Sequence, residues 1–137
     1  METAGYSGTP LVKKLGFRDG QHVIVRQEPS HYLKLLMGLP NIEWLESAEE
    51  NSADLIHLFC TSFVELESNF SELKKALKPT GSFWVSWPKG SSTINTDLNG
   101  NIVRRYGLLQ GLVDVKVCAV DADWSGLKFM YRIKDRK

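Results

Sequence analysis

The sequence contains few of the features that announce a chemistry. It has only two cysteines in 137 residues, Cys60 and Cys118. They lie far apart inside apolar segments with no Cys-x-x-Cys spacing, which argues against thiolate metal or redox chemistry and leaves buried thiols as the expectation. Charge of one sign is equally scarce, since 17 basic residues face 16 acidic ones and the formal net charge is +1. No whole-molecule field exists to hold nucleic acid or an anionic membrane, so neither is expected as a partner, although a local basic patch is compatible with that balance. No apolar run approaches the roughly 18 residues that suggest a membrane span. The segment Met1-Glu2-Thr3-Ala4-Gly5 is acidic and lacks the apolar stretch of a signal peptide, so a cytoplasmic location is expected. His22, His31 and His57 share no ligand spacing with one another or with the cysteines, and no nucleophile motif is present. No metal and no cofactor is assigned on these grounds.

What is present has the rhythm of an α/β chain. Thr9-Pro10 before Leu11, Val12 and Leu15, with Gly16 after them, reads as a short helix with its cap, first-turn proline and terminating glycine. His22 to Arg26 carries Val23-Ile24-Val25 and suits a buried strand. Pro29 and Ser30 open an expected two-turn helix ending near Gly38, and a short strand follows at Ile42 to Leu45. Asp54 to Cys60 is a second strong strand, apolar except for His57. In the next helix Phe63, Leu66, Phe70, Leu73 and Leu77 recur at steps of three and four, and Ser62 with Glu65 forms a capping box. Gly81 to Trp87 is a third apolar strand. Leu98, Ile102, Tyr106 and Leu109 mark another helix, weakened by Gly100 and Gly107 at about 1 kcal/mol each if they lie in its interior. Val113, Val115, Val117 and Ala119 then alternate, as do Leu127, Phe129, Tyr131 and Ile133 beyond a turn at Asp121 to Gly126. The expectation is an α/β fold: an open, mostly parallel, Rossmann-like sheet with helices on its faces and a C-terminal antiparallel hairpin, in one domain over 1–137.

Leu77-Lys78-Pro79-Thr80-Gly81, between an amphipathic helix and a strand, resembles the turn before the fifth strand of class I S-adenosylmethionine methyltransferases, and Asp54 opening its strand is similar too. The resemblance implies that Asp54 to Cys60 is the fourth strand, Gly81 to Trp87 the fifth and the hairpin the last two. Over nearly the whole chain the sequence also resembles a bacterial family of uncharacterised proteins described as a domain of unknown function. Gly5-Tyr6-Ser7-Gly8-Thr9-Pro10-Leu11, Trp87-Pro88-Lys89, Thr96-Asp97-Leu98 and Gly111-Leu112-Val113-Asp114 carry it, with the string Lys116 to Asp121 and Trp124-Ser125-Gly126-Leu127. That second resemblance implies no chemistry.

A nucleotide-type cofactor asks for glycine after the first strand, where the backbone must approach the ligand and turn into a helix. Here the stretch is Arg26-Gln27-Glu28-Pro29-Ser30-His31, with no glycine and a proline that removes an amide donor. Glu46 stands where a ribose-binding acid would stand, or is a solvated loop acid. Ligands of open α/β sheets bind beyond the carboxyl ends of the strands, which brings in Arg26, Gln27, Cys60, Thr61, Trp87 and Lys89. Trp87-Pro88-Lys89 offers an aromatic face and a cation, or a core tryptophan and a solvated lysine. Ser30 and the amides after it could hold a phosphate, or simply cap a helix. Lys116 lies two residues from Cys118 on the same strand face and could lower its thiol pKa, against the simpler reading of an inert strand cysteine. Asp121-Ala122-Asp123 reads as a solvated turn and not a calcium loop. Tyr6 and Ser7 complete the candidates. The glycine-free loop favours a non-catalytic domain that binds an unidentified small molecule or protein. The alternative is an S-adenosylmethionine-dependent methyltransferase with an atypical cofactor site.

Overall fold

The computed structural model describes residues 9–136. Its centre is a six-stranded sheet of order β2-β1-β3-β4-β6-β5. The strands are β1 (His22–Arg26), β2 (Glu43–Trp44), β3 (Ala53–Phe59), β4 (Leu77–Pro88), β5 (Leu112–Ala119) and β6 (Trp124–Tyr131). The first four in that order run parallel, and β6 and β5 add an antiparallel pair. Register makes each face a continuous row. Ile24, Ile56, Phe83 and Phe129 stand side by side across four strands, all fully buried. On the other face the corresponding row runs Val25, His57, Trp84, Lys128, Lys116, changing from apolar to cationic toward the hairpin edge.

The first face is covered by α3 (Phe63–Ala76) and α4 (Gly100–Leu109), the second by the short helices α1 (Leu11–Leu15) and α2 (Tyr32–Leu35). Helix α3 forms where its apolar stripe demands it, with Leu66, Phe70 and Leu73 buried. Ser62 caps it by accepting from the Glu65 amide, and Phe63 N donates to Asp97 Oδ1. Its other end runs directly into β4. Leu77 is thus the first residue of that strand and not of the helix, though it stays buried in the same cluster. Lys78, one residue further along β4, pairs with Asp54 at 3.1 Å.

Gly107 explains why α4 tolerates a poor helix former. A Cβ there would overlap Cε1 and Cζ of Phe129, so the bare backbone lets the helix sit down on β6. Gly107→Ala is therefore expected to destabilise the protein by about 1 to 3 kcal/mol through overpacking. Helix propensity alone would give the opposite sign, a gain of about 1 kcal/mol. Denaturant melts of the variant distinguish the two.

Several expectations need correction. The helix expected from Pro29 is only the four residues Tyr32–Leu35, and β2 is only two residues long. The second apolar helix starts at Gly100 behind an Asn99 cap, which leaves Leu98 in the loop but buried. The hairpin pairs as expected, from Leu112↔Tyr131 to Ala119↔Ser125, yet the alternation in β5 fails. The register shifts between Asp114 and Lys116, and Val115 and Val117 are left exposed. An extra residue in one strand of an antiparallel pair breaks the two-residue period, and edge strands accommodate such bulges readily. Ile133 lies beyond β6 in a 3-10 turn and is exposed.

Candidate functional site

The parallel strands β1, β3 and β4 all end on one side of the sheet, and the connections there decide what can bind. Directly after β1, Gln27 takes the left-handed backbone conformation, φ 59°, which glycine adopts freely and other residues at a cost. Its side chain turns inward, and Nε2 donates to the carbonyl of Phe59 at the end of β3 with a length of 2.7 Å. The ends of β1 and β3, between which the strand order reverses, are thus bridged by an exposed glutamine. Arg26 reaches the other way: Nη2 donates to the carbonyl of Glu46, just beyond β2, at 3.1 Å. The Glu46 side chain is exposed.

Beside this bridge, on the β2 side, lies a cleft of about 390 Å³. Val25, Pro29, Leu33, Trp44 and Leu45 give it apolar walls, and Glu28 contributes a carboxylate. Trp44 is 38% exposed, and its ring meets Phe17 edge-on with centroids 6.3 Å apart. An indole partly open to solvent against an aliphatic wall suits a flat, largely apolar group.

The inner side of the cleft is formed by Tyr32, which is almost wholly buried. Its hydroxyl bonds His57 Nδ1 at 2.9 Å, and His57 Nε2 bonds Ser86 Oγ at 2.8 Å. The imidazole stacks on Phe59 with centroids 4.2 Å apart. Burial holds the His57 pKa down to about 3, so the ring is neutral at ordinary pH. Burial, with Glu28 nearby, pushes the Tyr32 phenol far above its usual range. A second tie comes from His31, whose Nε2 lies 2.8 Å from Asp121 Oδ2 and fastens the loop after β1 to the hairpin turn. The other oxygen of Asp121 accepts from the amides of Asp123 and Trp124 and shapes that turn.

The remaining sequence candidates are scattered. Ser30 borders the cleft but starts no helix: α2 begins at Tyr32 without a side-chain cap and is four residues long, so the expected phosphate cradle is not formed. Thr61 gives both its amide and its hydroxyl to Glu65 Oε1. Trp87 is 7% exposed and packs with Leu98 and Val103, and its ring covers the core instead of offering a stacking face. Lys89 lies on the far side of the strand ends, its amide donating to the Asp123 carbonyl. Cys60 is buried, and burial with Glu65 nearby pushes its thiol up to about 12. At Cys118 burial outweighs Lys14, Lys116 and Lys89, and the thiol pKa is raised, contrary to the activation considered from Lys116. Tyr6 and Ser7 lie outside the described residues. The arrangement therefore brings Arg26, Gln27, Ser30 and Glu46 to one end of the sheet around β1 and β2, while Thr61, Trp87 and Lys89 serve other places. Trp44, Glu28 and Tyr32 were not legible as site residues.

No protein-family model and no curated protein sequence matches the chain. Solved structures do. The chain resembles a S-adenosylmethionine-dependent methyltransferase from Aquifex aeolicus at TM-score 0.65 and 19% identity, covering 89% of this chain and 88% of that one. A Burkholderia thailandensis 1,6-didemethyltoxoflavin N1-methyltransferase, solved with S-adenosylhomocysteine, gives TM-score 0.57 and 10% identity, covering 88% and 76%. A Bacillus subtilis tRNA methyltransferase gives TM-score 0.54 and 7% identity, covering 92% and 64%. The last of these corrects the exclusion of nucleic acid drawn from net charge. The same architecture serves an enzyme that acts on tRNA, and an even overall charge says nothing about how charge is distributed over a surface. All three of these structures are of methyltransferases, and at such identities the likeness is one of fold. The chain has the Rossmann-like fold of class I S-adenosylmethionine-dependent methyltransferases.

Proposed function

We propose that this chain, one methyltransferase-like unit, is an S-adenosylmethionine-dependent methyltransferase with an atypical cofactor site in the cleft at the ends of β1 and β2. The observation that carries the reading is the placement of the partly open Trp44 ring, opposite apolar side chains and beside Glu28, at that end of a methyltransferase fold. The donor set suits an adenosine group: the indole and Leu45 for the base, Glu28 or Glu46 for ribose hydroxyls. When bound, the cofactor would supply an electrophilic methyl group. The residues of this chain would hold and orient it, with His31–Asp121 keeping the loop in place.

Gln27 favours a second reading. Its side chain bridges the strand ends where a glycine-rich loop would leave room, which suits a domain that binds a ligand without transferring a methyl group. Titration calorimetry with S-adenosylmethionine separates the two. The methyltransferase reading expects a dissociation constant in the micromolar range, near −8 kcal/mol, weakened at least about tenfold by Trp44→Ala. Gln27→Gly is expected to tighten binding, because glycine accepts the same φ and removes the bridging side chain. Absence of heat at about 1 mM ligand in both the parent protein and Gln27→Gly would leave the non-catalytic reading standing.

A further inference from the structure

The row Val25, His57, Trp84, Lys128, Lys116 becomes cationic where β4 gives way to the hairpin. Lys128 and Lys116 are direct cross-strand partners, an arrangement that works against folding because like charges stand opposite one another. Further cations gather around them. Lys14, Lys89 and Lys116 all act on Cys118, and Lys116 and Arg18 both act on Lys128. Lys14 and Lys116 line one shallow depression together with Val117, Cys118 and Ser125. Among the described residues none of Lys14, Arg18, Lys89, Lys116 and Lys128 makes an ion pair. The carboxylates around them have other partners: Asp19 and Asp54, which line a pocket with Arg18 and Lys128, respectively accept from the Asn41 amide and pair with Lys78, while Asp114 pairs with Arg104, Asp121 with His31 and Asp123 with Ser92.

A fold with nearly even charge that sets two lysines in register on a sheet face, with three more cations without ion pairs on the helix and loops around them, spends stability on that placement. We infer that this face, from Lys89 past Lys14, Lys116 and Lys128 to Arg18, is a binding surface for the phosphate backbone of a nucleic acid. A linear polyanion fits better than a compact one, because the cations are spread along the strands from the end of β4 to the loop before β1 and do not converge on one point. Among the described residues no large aromatic ring stands exposed beside them, and the recognition inferred is of the phosphate backbone. The inference does not depend on methyl transfer.

Fluorescence anisotropy with a labelled single-stranded RNA of about 20 nucleotides tests it, with duplex DNA and anionic phospholipid vesicles as parallel arms. Binding is expected at low salt and should weaken as salt rises, with a logarithmic slope near −3 for four to five neutralised phosphates, at about −0.7 each. The triple variant Lys14→Gln, Lys116→Gln and Lys128→Gln is expected to lose at least about tenfold in affinity and flatten the slope by about 2. Its melting temperature should hold or rise, since a like-charge pair has been removed. That combination separates a binding role from a structural one. Lys134→Gln, on the exposed turn after β6, should leave affinity unchanged. Absence of RNA and DNA binding at low salt overturns the inference, as does binding that the triple variant retains in full. Binding to the vesicles alone would also overturn it.

Discussion

Acid is expected to strip about 4 to 5 kcal/mol from the folded state through His57 alone as the pH falls from about 6.5 to about 3. The folded-state pKa is depressed to about 3, while an unfolded chain titrates near 6.5. Below 6.5 the unfolded state takes up a proton that the native state refuses. The stability is therefore fully present above 6.5, declines through that window and is gone below 3. Hydrogen-bond geometry does not forbid the imidazolium, since the Tyr32 and Ser86 oxygens could each accept from it. Burial between β4 and α2, against Phe59, is what excludes the charge. His57→Gln keeps a neutral polar group but does not titrate. It should be less stable than the parent at pH 7 and recover about 3 kcal/mol of that gap at pH 4. Urea melts at both pH values measure the difference, and parallel stability curves for the two proteins would rule the assignment out.

His57 also shows how far the sequence could be read. A single histidine within an otherwise apolar strand was visible as an exception, and its period placed it on one face of the sheet. Its partners were not visible, because Tyr32 comes from a helix of four residues and Ser86 from a neighbouring strand. The strong elements were legible where local pattern and tertiary role coincide. Val23-Ile24-Val25 forms β1, Leu55 to Phe59 fills β3, and the stripe from Phe63 to Leu73 lies against the sheet. Pattern failed where packing overrode it. The bulge in β5 turns Val115 and Val117 outward, and Gly107 is retained for the sake of Phe129 and not in spite of the helix. At the site, the missing glycine was legible but its consequence was not. Only in the folded chain does Gln27 take the left-handed conformation with its amide on the Phe59 carbonyl. The charge row across β6 and β5 was hidden for a related reason. Lys128 and Lys116 are twelve residues apart in sequence and meet only through hairpin register.

Phe70→Ala is expected to cost about 3 to 5 kcal/mol, the largest loss from any single truncation on the α3 face. Phe70 is 1% exposed at the middle of α3. Its ring stacks on Phe83 of β4 with centroids 4.8 Å apart and an interplanar angle of 22°. It also meets Tyr106 of α4 edge-on at 5.2 Å and Phe129 of β6 at 6.3 Å. One side chain therefore joins both covering helices to two strands. Its removal forfeits the transfer free energy of the ring, and the offset and edge contacts add about 0.5 to 1.5 kcal/mol per aromatic pair beyond area. The cavity cannot close easily. Phe83 and Phe129 are fixed by register to Ile56 and to each other, and α4 already rests on Phe129 at the bare backbone of Gly107. Phe70→Leu fills most of the volume without the aromatic geometry and should cost clearly less, which separates cavity from stacking. Tyr106 contributes a second check, because its ring is only partly buried and touches solvent. Tyr106→Leu should cost about 1 kcal/mol, and combining it with Phe70→Ala should cost less than the sum, since the edge contact is lost only once. Full additivity of the two changes would mean that the rings do not act as one unit and that α4 is held to α3 by other contacts.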